Sequence, residues 1–144
     1  MKVYVLHYSY YEESEVRGVY TEDAMNKELA QYANWGREHN NRTIDEYEKK
    51  IETLAEQRKA LGQEDRKLSE RQSQMEADGI ANAKKQLKGE RKQLMKRMDE
   101  LAHSIKMLEW KIKDLRVLTD DQLAEREMER NHLYFEEFYV LGME

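Results

Sequence analysis

Cysteine is absent from these 144 residues. That excludes a disulfide scaffold, a thiolate zinc site and a cysteine nucleophile. It fits a reducing compartment, and the expected location is the cytoplasm. Proline is absent too, and hydrophobic residues reach only 39% while charged ones reach 38%. A compact core needs more apolar surface than this easily supplies, so the composition favours long exposed helices. Apolar runs are short: none approaches the roughly 20 residues needed to span a bilayer, and no membrane association is expected. The opening MKVYVLHYSYY lacks the long apolar core and small-residue cleavage site of a secretion signal. The Asn-Arg-Thr at 41–43 matches a glycosylation sequon, read as chance without such a signal.

What is present falls into two kinds of pattern. The chain ends read as strand. VYVLHYSYY (3–11) and EVRGVY (15–20) are rich in Val and Tyr, separated by a polar connection, and predict a hairpin. HLYFEEFYVL (132–141) predicts a third strand. Thr21 is placed as an N-cap, with Glu22 and Asp23 at the positive end of a short helix that runs to about residue 36. Met25, Leu29 and Tyr32 give that helix an apolar stripe. A lone hairpin is marginal in water, whereas three strands under a helix can be stable. The two ends of the chain are therefore expected to close on each other.

These end segments carry a resemblance. VYVLH (3–7), GVYTEDA (18–24) and YFEEFYVL (134–141) resemble a small uncharacterised β-β-α-β domain of phage and bacterial hypothetical proteins. That family shows a VYxLxH-like strand, a GVYS/T turn into a helix with an early Ala, and a terminal YxxEEYEL-like strand. The resemblance implies a phage or mobile-element origin and the β-β-α-β arrangement, and it transfers no activity and no site residue. The chain departs from the pattern by a long insertion before the last strand.

The insertion has a coiled-coil period. Thr43-Ile44-Asp45-Glu46 fits a capping box and predicts a helix start after a polar connection at 36–42. The seam runs Ile44, Tyr47, Ile51, Leu54, Arg58, Leu61, Asp65, Leu68, Gln72, Met75, alternating steps of three and four. Continued in register it meets Gly79, Asn82, Gln86, Gly89 and Gln93, none of them apolar, so a straight helix would lose its seam. A new register starts at Ile80 and runs Lys84, Leu87, Arg91, Leu94, Met98, Leu101, Ile105, Leu108, Ile112, Leu115. The break falls at Asp78-Gly79, a turn signal. Folding the two helices antiparallel there pairs positions whose numbers sum to about 155, as facing seams require. Leu61 then faces Leu94, Asp65 meets Arg91, and Gln72 meets Lys84. Asp65 and Arg91 read as a device that fixes register and not as an active pair. Thr119-x-x-Gln122 is a second capping box, starting a short helix to about Asn131. The expected fold class is thus α+β. A small three-stranded antiparallel sheet with a short helix (1–42 and 119–144) carries a long antiparallel coiled-coil hairpin (43–118) that turns near 78–79.

Charge is unevenly divided. From Arg58 to Arg97 there are 12 Lys or Arg and 6 Asp or Glu, against −5 for the whole chain. Lys84, Lys85, Lys88, Lys92, Lys96 and Arg97 lie outside the seam and form a candidate partner-binding surface at the tip. Such a run is usually a solvated face; its functional reading is a basic arm reaching an acidic protein or a phosphate backbone. No aromatic residue accompanies it, so nucleic-acid contacts would be to phosphates and without sequence specificity. The alternative surface is aromatic: Tyr8, Tyr10, Tyr11, Tyr134 and Tyr139 on the strands, about half of the terminal aromatics being core and the others contacting a partner or a second copy. Enzyme signals are weak. Glu125, Glu129 and His132 make one Glu-x-x-His unit where a dimetal bundle needs two. His7, His39 and His103 have no partner spacing, and no phosphate loop is present. No catalytic residue, metal or cofactor is expected. The expected function is a non-catalytic interaction protein that uses its arm to bind and block, or bridge, a macromolecular partner such as a host nucleic-acid or defence machine. The alternative is a nucleic-acid-binding or architectural protein acting through the basic tip.

Overall fold

The computed structural model describes residues 1–141. It is an α+β chain with β1 (Lys2–Tyr10), β2 (Glu13–Tyr20), α1 (Glu22–Ala77), α2 (Ala83–Arg116), α3 (Asp120–Arg130) and β3 (Leu133–Tyr139). By contact density it divides into two compact units. One is Met1–Thr43 with Leu115–Glu144, and the other is Ile44–Asp114.

In the first unit the sheet order is β2-β1-β3 with both pairings antiparallel. The last strand lies directly against the first, Leu6 opposite Phe135 and Val3 opposite Phe138. Even-numbered side chains of β1 turn to one face, where Leu6 is buried with Tyr32, Ala33, Ala124 and Met128, and with Tyr20, Leu29, Leu133 and Phe135 packed around them. Between Leu6 and His7 the β2 pairing slips, placing Gly18 and then Val16 opposite, with Arg17 as the extra residue of a bulge. Gly18 leaves room for the Tyr20 ring to fold over it and meet Phe135 edge-on at 5.5 Å.

Thr21 caps the start of α1 as its chemistry demands, its hydroxyl accepting from the Ala24 amide. The expected end of that helix near residue 36 is not there. α1 continues unbroken through 36–42, and Thr43 is an interior residue whose hydroxyl donates to the His39 carbonyl at 3.1 Å. Three residues that looked like a polar connection are instead a docking strip for the returning chain. Gly36 lies so close to α3 that a Cβ there would stand 2.5 Å from the Leu123 carbonyl oxygen. Arg37 pairs with Asp120, and Asn40 donates to the Leu115 carbonyl at 2.9 Å. Thr119, by contrast, forms the full capping box with Gln122 that its sequence specifies.

In the second unit the two arms are parts of α1 and α2. The turn is a complete Schellman closure. The Gly79 amide donates to Glu76 and the Ile80 amide to Met75, with Gly79 at φ 73°. The second arm begins at Ala83, not at Ile80: Ile80 is exposed in the turn, Asn82 adopts a left-handed φ of 60°, and Lys84 is exposed. Ala83 and Leu87 take over as the first buried seam residues of α2, followed by Leu108 and Ile112, with Ile44 and Leu61 buried on α1. Arg58 is also exposed, so the seam skips that position. Most other seam residues are half-buried, as a two-helix contact permits, so each contributes less than the about 1.5–3 kcal/mol of a fully buried side chain.

Candidate interaction surfaces

Lys84, Lys85, Lys88, Lys92, Lys96 and Arg97 are all exposed on α2. At about 100° per residue the five lysines occupy one face roughly 120° wide, while Arg97 lies on the other side of the seam. From Lys84 to Lys96 the stripe extends about 18 Å along the axis. None of the six takes part in an ion pair among the described residues. Arg91, in the middle of the run, does. Its guanidinium turns inward and donates to both carboxylate oxygens of Asp65 at 2.9 and 3.3 Å and to Gln72 at 3.4 Å. The sequence reading assigned Gln72 to Lys84; Arg91 takes it instead, because Ala83 and not Lys84 holds the buried position at the start of α2 and Lys84 is exposed.

The hydrogen bonds that Arg91 donates to Asp65 lower the Asp65 pKa and raise that of Arg91, in each case against an opposing push from burial. A lowered carboxylate pKa adds stability in full above the unfolded value of about 3.9, and loses it as pH falls through the folded value. Arg91→Gln should therefore melt below the wild type at neutral pH, and the difference should close as pH falls below about 4. Melting curves from pH 7 down to pH 2.5 check this; a gap that stays constant with pH would remove the pair from the account.

The five tyrosines proposed as an aromatic surface are dispersed. Tyr8 and Tyr139 lie on the helix-side face and hold cations over their rings, Arg17 at 4.7 Å and Lys2 at 5.5 Å. Tyr10 packs against Tyr11 and against His132, both at 4.3 Å between centroids, at the hairpin end. Tyr134 is alone on the opposite face, stacked on His7 at 4.9 Å and 15°.

That opposite face carries Tyr134 and Phe138, terminal aromatics beyond what one core face buries, as expected in part; its valines were not singled out. Odd-numbered residues of β1 present Val3, Val5 and His7 there, with Val16 and Val19 from β2 and Tyr134, Glu136 and Phe138 from β3. Val16 is 59% exposed, Val19 65%, Tyr134 47% and Phe138 41%. Glu136 Oε2 stands 3.0 Å from His7 Nε2 without hydrogen-bond alignment. The signal was visible in β1, which alternates apolar with apolar where a half-solvated strand alternates apolar with polar.

Glu125 and Glu129 do not meet His132 as ligands. His132 has a left-handed φ of 59° and its ring packs on Tyr10. The two carboxylates instead line a groove of about 450 Å³ with Met25, Leu29, Met128 and Phe135. Among the described residues no group of His, Asp and Glu is placed to hold a metal, and no helix is long and apolar enough to cross a membrane. Comparison of the chain with protein-family models, with curated proteins and with solved structures finds no match.

Proposed function

We propose that this chain is a non-catalytic interaction protein whose helical hairpin presents a basic stripe to an acidic surface of a macromolecular partner in the cytoplasm, blocking or bridging it. One observation carries the reading: five lysines on one face of α2, all exposed and none in an ion pair among the described residues. A solvated coiled-coil face usually mixes both signs so that i,i+4 pairs form; from Lys84 to Arg97 the only acid is Glu90. The resemblance of the chain ends to a phage domain adds the proposal that the partner is a host machine, a defence nuclease included. The second reading, contact with a phosphate backbone, rests on the same stripe and differs in its partner.

Reversing Lys88, Lys92 and Lys96 to Glu is the test. Exposed ion pairs contribute only about 0–1 kcal/mol each, so helical content and melting should barely change. Binding should fall at least about tenfold, mainly through slower association. The readout is affinity capture from the host with wild-type and reversed baits, followed by kinetics on the protein that only the wild type retains. A random-sequence DNA duplex tests the second reading, since phosphate contact weakens steeply with salt. The control reverses Glu48, Glu52 and Glu56 to Lys. Loss of binding in the control with none in the tip set overturns the assignment.

A further inference from the structure

The outer face of the sheet is apolar, exposed and uncovered by any described element, and it lies outside the basic stripe on which the proposed function rests. We propose that it joins two copies of this chain face to face in a reversible two-fold dimer.

Charge selects the occupant. The unit that contains the sheet has 8 Lys or Arg against 15 Asp or Glu, a net −7. Two copies meeting through most of that surface would repel. On the outer face of the strands Glu136 is the single acid, and His7 stands beside it. A neutral face on an acidic unit is where a second copy can approach without opposing charge. It offers nothing to a phosphate backbone or a strongly charged partner.

Shape points the same way. The bulky residues, Tyr134 and Phe138, are on one outer strand, β3, while the small ones, Val16 and Val19, are on the other, β2. A two-fold axis parallel to the strands and lying between the sheets places β3 of each copy over β2 of the other. The aromatic ridge then fills the valine trough twice, once in each direction, which is the self-complementarity an isologous contact requires. Sheets so stacked pack about 10 Å apart with their strands within about 30°.

The size places the contact in a class. Three strands of about seven residues cover roughly 14 by 23 Å, and side-chain relief roughly doubles that projected area. Two such faces reach the lower end of specific interfaces, near 1,200 Å² in total. Association is therefore expected to be concentration dependent and reversible.

Sedimentation equilibrium of the full chain tests the proposal between about 5 and 300 μM, a range that covers weak, reversible association. The weight-average mass should climb from 17.4 kDa towards twice that value. Val16→Lys with Val19→Lys should hold it at the monomer value with an unchanged circular dichroism spectrum, since both side chains are mostly exposed. Val16→Thr with Val19→Thr keeps the β-branched shape and should weaken dimerisation at least several-fold, so the test survives if the lysine variant fails to fold. The reversal of Lys88, Lys92 and Lys96 should dimerise as the wild type does, which separates this proposal from the function of the arm. A wild type that stays monomeric throughout overturns the proposal. A dimer that persists in folded variants of both kinds overturns the choice of face.

Discussion

Replacing Gly36 with Ala should lower stability by about 2 kcal/mol and the melting temperature by roughly 5–10 °C. The direction is the informative part. In a helix interior Ala is ordinarily better than Gly by up to about 1 kcal/mol, because Gly loses more backbone freedom on folding. At Gly36 the added methyl would stand 2.5 Å from the Leu123 carbonyl oxygen and 3.3 Å from its Cβ. The first neighbour is backbone, so α3 must move away, and with it Ala124 and Met128, which are buried in the sheet core. Gly89→Ala is the matched control. It is also inside a helix, but nothing lies within 4 Å of the new Cβ, so the ordinary propensity gain should appear. Thermal melts of the two variants should therefore shift in opposite directions. Two shifts upward would show that α1 and α3 do not approach as described.

Truncation after Asn131 should have a larger effect, confined to one unit. It removes β3, which supplies the partner of β1 from Lys2 to Tyr8 and two residues, Leu133 and Phe135, that pack on the core. The remaining two strands form a hairpin, and isolated hairpins are barely stable in water. Leu6 and Tyr20 lose cover, and β1 becomes an exposed edge rich in Val and Tyr, a template for aggregation. The hairpin unit, Ile44–Asp114, keeps all of its internal contacts. Far-UV circular dichroism should retain most of the helical signal while the protein aggregates at micromolar concentration. A truncated chain that is monomeric, with β1 amides still protected from hydrogen exchange, would show that β3 is not the partner of β1.

The elements legible in sequence were those whose signals are local. Seam spacing, the Asp78-Gly79 turn and the Asp65–Arg91 match located the hairpin, because each arm's period is a property of its own residues. The Thr21 cap and the Thr119 box were likewise readable. The unbroken α1 was not. The polar run at 36–42 and Thr43-x-x-Glu46 each resemble a helix boundary when read alone. Gly36, Arg37 and Asn40 have their partners more than 70 residues away, in Leu123, Asp120 and Leu115. The same box pattern thus ends in two ways: Thr119 caps because α2 has stopped before it, while Thr43 lies inside a helix held by distant contacts. For the surfaces, exposure of the lysines followed from their positions outside the seam. The outer sheet face required knowing which side of β1 the helices cover, and alternation cannot choose between two apolar faces.

The hydrogen bond from Asn40 to Leu115 bears on how fast such a chain can fold. β1 and β3 are at opposite ends of the sequence, and pairing them directly means closing a loop of well over 100 residues, which slows folding. The contacts of the helical hairpin are nearest in sequence at the Schellman turn and grow more distant outward, so it can close a turn at a time without a large loop. Once it has formed, residues 40 and 115 are neighbours, and the chain left to close is only the short stretch on either side. The long insertion therefore acts as its own shortcut: formed first, it turns a remote strand pairing into a nearly local one.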